Sequence, residues 1–196
     1  KIKGEHVLNA LYANLKDQRG CIFQQLELTL TGLCNRSCSF CPRTDPGVFK
    51  STNSFLHPDI LEKVFTTLSN FNYAGKIAFS GFGEPFTHPE LSQILECAKQ
   101  ILPNSVIDII TNGDYINTPK GQKIIKDNNF DRILISAYDG DKQVASLQND
   151  YSELIISKKI IVRKRYLSIQ GDEFDLFSNR TGLVNYGQSK LSKLNI

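Results

Sequence analysis

Three cysteines fall within eight residues, in the run Cys34-Asn35-Arg36-Ser37-Cys38-Ser39-Phe40-Cys41, while the whole chain has only five. Thiolates this close can converge on one metal centre, and an odd number leaves a coordination position open for chemistry. Three readings fit the run. Packed free thiols behave as small apolar side chains, and spacings of four and seven would share one helix face. Asn35, Arg36 and Ser37 are weak helix formers, however, and Pro42 closes the segment. A structural zinc would need a fourth ligand from Cys21 or His57, and such sites usually show two C-x-x-C pairs where this run has one. A cubane [4Fe–4S] cluster would bind three thiolates through three irons and keep its fourth iron open.

The elements around the cysteines give them an address. Leu26, Leu28 and Leu30 alternate with Glu27 and Thr29, a strand period, and that strand runs straight into Cys34. Residues 43–54 are rich in Pro, Gly, Thr and Asn and read as a loop. Ile60, Leu61, Val64, Phe65 and Leu68 recur at helical spacing. Lys76–Ser80 reads as a second strand, ending in Gly81-Phe82-Gly83-Glu84-Pro85. Thr87-His88-Pro89-Glu90 has capping-box spacing ahead of a helix through Leu91, Ile94, Leu95 and Ala98. Val106–Ile110 reads as a strand ending at Thr111-Asn112-Gly113, followed by a helix over Gln122–Lys126. Arg132–Ser136 is a fourth strand, ending at Ala137-Tyr138-Asp139-Gly140. A helix over Val144–Ile156 precedes a fifth strand from Ile160.

Strands alternating with helices predict a parallel sheet with right-handed crossovers, an α/β fold. A closed eight-unit barrel typically needs about 250 residues. The 196 residues present therefore predict a partial, open (β/α) barrel of about five or six units. In such a sheet the polar clusters after successive strands all lie at the carboxyl edge, where these folds build their sites. Four clusters then share one mouth.

Composition narrows the class. An apolar fraction of 40% with 22% charged residues describes an ordinary globular core. The net charge is only +3 and the densest basic runs are Lys158-Lys159 and Arg163-Lys164-Arg165, which is not a nucleic-acid footprint. No apolar run has membrane-spanning length and no secretory signal opens the chain. The cysteine usage is unlike a secreted disulfide scaffold, so a cytoplasmic location is expected.

Cys34-x-x-x-Cys38-x-x-Cys41, with Phe40 at the aromatic position, resembles the signature of the radical S-adenosylmethionine (radical SAM) enzymes. The resemblance implies that the three cysteines ligate a [4Fe–4S] cluster whose open iron binds the amino and carboxylate groups of S-adenosylmethionine. It further implies an oxygen-sensitive enzyme that cleaves this cofactor reductively and uses the 5′-deoxyadenosyl radical to abstract hydrogen from a substrate. Gly81-Phe82-Gly83-Glu84-Pro85 resembles the family's second motif, in which backbone and Glu atoms hold the methionine amino group. Physically, Gly permits close backbone approach and Glu accepts hydrogen bonds from an ammonium. Asn112 and Ser136 match positions that contact the cofactor, although Asn-Gly is also a turn signal and Ser a capping hydroxyl.

Arg163 and Arg165 fall on one side of the fifth strand. Arg163 is expected to reach the cofactor carboxylate, and a solvated face is the competing reading. His88 reads as structural, Cys97 as core packing beside Ile94 and Ile101, and Asp139 as a helix cap. Residues 1–21 form a lead-in and 22–170 the core domain. Residues 171–196 form a C-terminal segment in which Phe177–Gly182 resembles the approach to the SPASM/twitch auxiliary-cluster domain of one family branch. Branch members modify peptides, sugars or aminocyclitols, which makes a small molecule or peptide the expected substrate and a flavodoxin or ferredoxin the expected electron donor. A glycyl-radical activase and a non-catalytic iron–sulfur or zinc module are the alternatives.

Overall fold

The computed structural model describes residues 23–175 other than 39, 46, 50, 51, 170 and 171. Cys21, the lead-in before it and the Phe177–Gly182 segment lie outside the described residues. The element order is β1 (Gln25–Leu28), α1 (Pro58–Asn70), β2 (Lys76–Phe79), α2 (Leu91–Ile101), β3 (Val106–Thr111), α3 (Pro119–Asp127), β4 (Arg132–Ala137), α4 (Gly140–Asp150), α5 (Ser152–Ile156) and β5 (Ile160–Lys164). A two-stranded antiparallel pair follows, β6 (Tyr166–Ile169) with β7 (Asp172–Asp175).

The five main strands pair in the order β1-β2-β3-β4-β5, every pair parallel. Each strand lies beside its sequence neighbour, so right-handed crossovers place all the helices on one face. This is the singly wound arrangement of a partial (β/α) barrel, as the sequence pattern predicts.

Register shows how the two faces differ. Phe79, Ile109, Ile133 and Ile160 align across four strands, as do Ile77 and Ile107 on their own pair. All are 0–1% exposed and pack with Leu61, Phe65, Leu91, Ile94, Leu95 and Ala98 from α1 and α2. Continuous burial on this face explains the Val/Ile/Leu-rich strands. The other face carries Ala78, Asp108 and Arg132 in one row and Ser136 beside Arg163 in another. Asp108 is 2% exposed there. Arg132 grips it bidentately, Nε to Oδ1 at 2.8 Å and Nη2 to Oδ2 at 2.7 Å, and Lys76 Nζ lies 3.7 Å away. A buried carboxylate in that position requires such pairing.

Three local expectations change. The capping box at Thr87 does not form: Thr87 Oγ1 donates back to Glu84 O at 2.7 Å, within a 3-10 turn over Pro85–Thr87. His88 takes its place, with Nδ1 accepting from Glu90 N at 3.2 Å and Nε2 against Leu56 O at 3.0 Å. His88 is fully buried, which fits the structural reading, and burial pushes its pKa down. The helix expected over Val144–Ile156 is two helices, because the chain turns at Tyr151, whose φ and ψ are −125° and 28°. The Tyr151 hydroxyl reaches back to Gln122 Nε2 at 2.7 Å and to Asn117, so a tertiary contact breaks the helix. Finally, α3 is longer than the apolar pattern indicates. Thr118 caps it by accepting from Gly121 N, and Asn128 ends it in the left-handed conformation.

Among the described residues, no helix is long and apolar enough to cross a membrane. Phe65 is fully buried and its ring meets Phe79 edge-on at 6.4 Å. Phe65→Ala should cost about 3–5 kcal/mol, as large-to-small changes in a packed core do. Urea denaturation of the two proteins measures this.

Candidate functional site

The cysteine loop leaves the sheet after Leu30, which is buried, and Thr31, which forms an isolated bridge with Phe55. Thr31 Oγ1 accepts from Leu33 N at 3.0 Å and donates to Ser54 O at 3.1 Å, which turns the chain toward the carboxyl edge. Cys41 N bonds Cys38 O at 2.9 Å, and a 3-10 turn over Pro42–Thr44 follows. The run is thus a loop, in keeping with the weak helix formers Asn35, Arg36 and Ser37 and the closing Pro42.

The second loop presses directly onto the first. Glu84 N donates to Leu33 O at 2.7 Å. A Cβ at Gly83 would overlap the Thr31 carbonyl and crowd that of Leu33. Gly81 has φ +105°, where an L side chain is strained. Both glycines are therefore required by geometry, one for close approach and one for its backbone conformation.

Glu84 is 2% exposed. Its Oε1 accepts from Phe86 N at 3.1 Å and Thr111 Oγ1 at 2.7 Å, and its Oε2 accepts from Asn112 N at 2.9 Å. Burial pushes its pKa up, and these hydrogen bonds act in the opposite direction. All three partners donate, which is the pattern of an ionised carboxylate. Oε1 has both lone pairs engaged, whereas Oε2 retains one. Sequence reasoning assigned Glu84 to a ligand ammonium; the structure adds that the same carboxylate stitches the second loop to the third.

Asn112 Nδ2 donates to Asn35 Oδ1 at 2.8 Å and lies 3.9 Å from Cys34 Sγ. Burial pushes the Cys34 thiol up, while the Arg36 backbone N–H and the Arg43 charge pull it down. Cys34, Cys38 and Cys41 line one cleft with Phe40. Gly81, Gly83 and Glu84 line it from the second loop, Asn112 from the third and Ser136 from the end of β4. Arg163, the remaining candidate, is not on that lining. Register sets it beside Ser136, and its Nε and Nη2 are buried with no hydrogen-bond partner among the described residues. Arg165 comes closer to the cleft, with Nε 3.5 Å from Ser136 Oγ.

Sequence reasoning did not single out Arg36, Arg43 or Asp114. Arg43 lines the cleft, donates from Nη1 to Gly32 O at 2.6 Å and lies 5.2 Å over the Phe49 ring. Tyr138 lines it too, with its ring 5.2 Å from that of Phe40. A charged residue between or just after clustered cysteines was the available signal. Asp139 is no helix cap by its side chain; it pairs with Arg36, and Gln143 Oε1 accepts from the Tyr138 and Asp139 amides at 2.9 Å each. Cys97 packs at the edge of the core as expected. His57, the candidate fourth zinc ligand, caps α1 instead, accepting from Asp59 N at 3.3 Å with its side chain 66% exposed.

Among the described residues no three His, Cys, Asp or Glu side chains converge on a point that one metal ion could occupy. A polynuclear cluster has several metal atoms to share among its ligands, so its thiolates stand further apart than those on one zinc. Three cysteines around one cleft fit that donor pattern.

A parallel sheet wound in one direction, with three cysteines and a glycine–glutamate turn at its carboxyl edge, defines an iron–sulfur enzyme class built on a partial barrel. The chain belongs to the radical SAM superfamily, whose family model matches residues 28–181. Enzymes of this superfamily use a [4Fe–4S] cluster and S-adenosylmethionine. The chain is 26% identical over 165 residues to the S-adenosyl-L-methionine-dependent 2-deoxy-scyllo-inosamine dehydrogenase of Niallia circulans, covering 84% of this chain and 62% of the relative. It is 30% identical over 123 residues to a probable GTP 3′,8-cyclase of Methanothermobacter thermautotrophicus, covering 63% of this chain and 38% of the relative. The chain thus spans less than two thirds of the length of these relatives. Its fold matches the crystal structure of BtrN in complex with AdoMet and 2-DOIA, with a TM-score of 0.65 at 22% identity, covering 83% of this chain and 62% of that one.

Two substitutions test the packing of the loops. Gly83→Ala should push the second loop off Thr31 and Leu33 and reduce iron uptake on anaerobic reconstitution several-fold, with the far-UV spectrum retained. Glu84→Ala leaves the Phe86, Thr111 and Asn112 donors without their acceptor, at about 1–3 kcal/mol for each buried unsatisfied group. Chemical denaturation should show a loss of that order, with Glu84→Gln losing less.

Proposed function

We propose that Cys34, Cys38 and Cys41 bind three irons of the [4Fe–4S] cluster and that the cofactor lies across the cleft toward Gly81, Gly83, Glu84, Asn112 and Ser136. The observation that carries this reading is the meeting of four separate loop clusters on one cleft. When bound and reduced, the cluster supplies the electron for reductive cleavage of S-adenosylmethionine. The protein's own work is placement. Glu84 Oε2 keeps one lone pair for the methionine ammonium, and the Cβ-free backbone at Gly81 and Gly83 lets the ligand approach the main chain. Phe40 and Tyr138, with ring centroids 5.2 Å apart, supply an aromatic wall of the cleft. Arg163 is assigned to a carboxylate of cofactor or substrate, because it neighbours Ser136 and two of its nitrogens lack partners among the described residues.

The substrate in this reading is a small polyhydroxylated molecule of sugar or aminocyclitol type: hydrogen abstraction at one alcohol carbon leaves a carbon radical, and loss of its hydroxyl proton to solvent and of one electron to a one-electron acceptor completes the oxidation to a carbonyl. The dehydrogenase relative supports it by covering 84% of this chain, against 63% for the cyclase. Ser80, Ser136, Tyr138 and Arg43 on the lining suit hydroxyl groups. A one-electron carrier of the flavodoxin or ferredoxin kind delivers the reducing electron.

Anaerobically reconstituted protein should be brown and bind about four irons, as one cubane requires. With dithionite and S-adenosylmethionine it should form 5′-deoxyadenosine, and an aminocyclitol with a secondary alcohol should accelerate that formation. Cys34→Ala, Cys38→Ala and Cys41→Ala should each abolish it, and Cys97→Ala should leave it intact. Activity surviving Cys38→Ala would remove the ligand set; stoichiometric zinc with no iron uptake would remove the cluster.

A further inference from the structure

Arg36 lies between the first two cysteines, yet its side chain reaches out of their loop. Nε donates to Asp114 Oδ2 at 2.7 Å, and Nη2 donates to Asp114 Oδ1. Nη1 donates to Asp139 Oδ1 at 2.8 Å and Nη2 to Asp139 Oδ2 at 2.6 Å. One guanidinium therefore makes two bidentate pairs at once, with carboxylates from the loops after β3 and β4. Its plane lies 5.6 Å over the Tyr138 ring, and its side chain is only 17% exposed. Asn35 strengthens the join, with Nδ2 donating to Asp114 Oδ2 at 2.5 Å and Oδ1 accepting from Asn112. Asp114 N in turn donates to Asn112 Oδ1 at 3.0 Å.

Arg36 is on the cleft lining too, but its side chain is already spent on protein partners. Two carboxylates already answer its single charge, and four of its N–H directions are committed. What it does is mechanical. Asn112 and Tyr138 belong to the two loops it grips, Ser136 ends the strand that leads into the second of them, and Cys34 and Cys38 flank it on its own. The Gln143 side chain meets the amides at the start of α4, which leaves the Asp139 carboxylate for this pairing.

We propose that Arg36 is a positioning residue: by bridging Asp114 and Asp139 it fastens the three-cysteine loop to the third and fourth loops before any iron arrives, so the thiols are presented to the cluster already aligned with the cofactor face. Arg suits this and Lys does not, because only a planar fork serves two carboxylates with paired bonds. Preorganisation of this kind acts through geometry at the reacting atoms rather than through global stability.

The proposal rests on the cluster-binding reading in one arm of its test only. In the full chain before reconstitution, hydrogen exchange of amides 33–41 in R36Q should quicken about tenfold, the scale of losing a charge-assisted bond set, while amides of β2–β4 keep wild-type rates. R36K should recover part of the protection. After reconstitution, R36Q should surrender iron to a chelator about tenfold faster, and the change that S-adenosylmethionine causes in the electron paramagnetic resonance of the reduced cluster should broaden. Should R36Q fail to fold, D139N removes the more exposed carboxylate alone and should give the same changes at smaller amplitude. Wild-type exchange over 33–41 in R36Q or D139N overturns the proposal, as does exchange that rises equally across the strands. If no variant, wild type included, takes up iron, the cluster reading fails while the exchange arm still decides the clamp.

Discussion

The handedness of the crossovers governs everything else in this molecule. Five parallel strands in strict sequence order leave the helices no choice of face. One side of the sheet must then be apolar along its full width, and it is: isoleucines and Phe79 align across it beneath α1 and α2. The same winding sends every strand out at one edge. Four loops that are up to about a hundred residues apart in sequence become neighbours there without any dedicated contact bringing them together. The chemistry-bearing residues need only follow strands, and they do.

Neighbourhood is still not alignment, and the alignment is made by polar groups, some buried and some near the surface. Glu84 fastens the second loop to the third through Thr111 and Asn112, and its own backbone fastens the second to the first through Leu33. Arg36 fastens the first to the third and fourth. Each of the four loops is thereby linked to at least one other, through Glu84 at a depth where hydrogen bonds are strong and unmade ones costly, and through Arg36 nearer the surface. Asp108 with Arg132 repeats the pattern lower on the same face of the sheet. Loops of this kind, which would otherwise be mobile, become a rigid frame for a site.

Much of this was legible from residue types. Strand and helix periods placed all five main strands, because a sheet buried against helices leaves a strong apolar signal. The cysteine spacing and the glycine–glutamate turn pointed to the cleft because their chemistry is local in sequence. What escaped notice was long-range or competitive. Nothing near Arg36 in sequence announces Asp114 or Asp139, whose separations are 78 and 103 residues. Thr87 has the spacing of a cap but is taken by Glu84 O, so a nearer acceptor defeated the pattern. Tyr151 sits inside a helical period and breaks it because its hydroxyl prefers Gln122 and Asn117. In each case a tertiary hydrogen bond outweighed a local preference, which is worth only fractions of a kcal/mol per residue.

The charges at the edge also bear on what the cleft selects. Glu84, Asp114 and Asp139 stand near the cysteines, yet each is committed to protein donors. A ligand ammonium placed at Glu84, as proposed, would meet one remaining lone pair rather than a free anionic patch, and its recognition would rest on direction more than on net charge. The cations are distributed differently. Arg36 is answered twice over, whereas Arg43 reaches the lining, donates to the Gly32 carbonyl and lies over the Phe49 ring. Asp114 and Asp139 are thus spent on holding the loops, and the lining meets a ligand through placed polar groups such as Asn112 and Ser136.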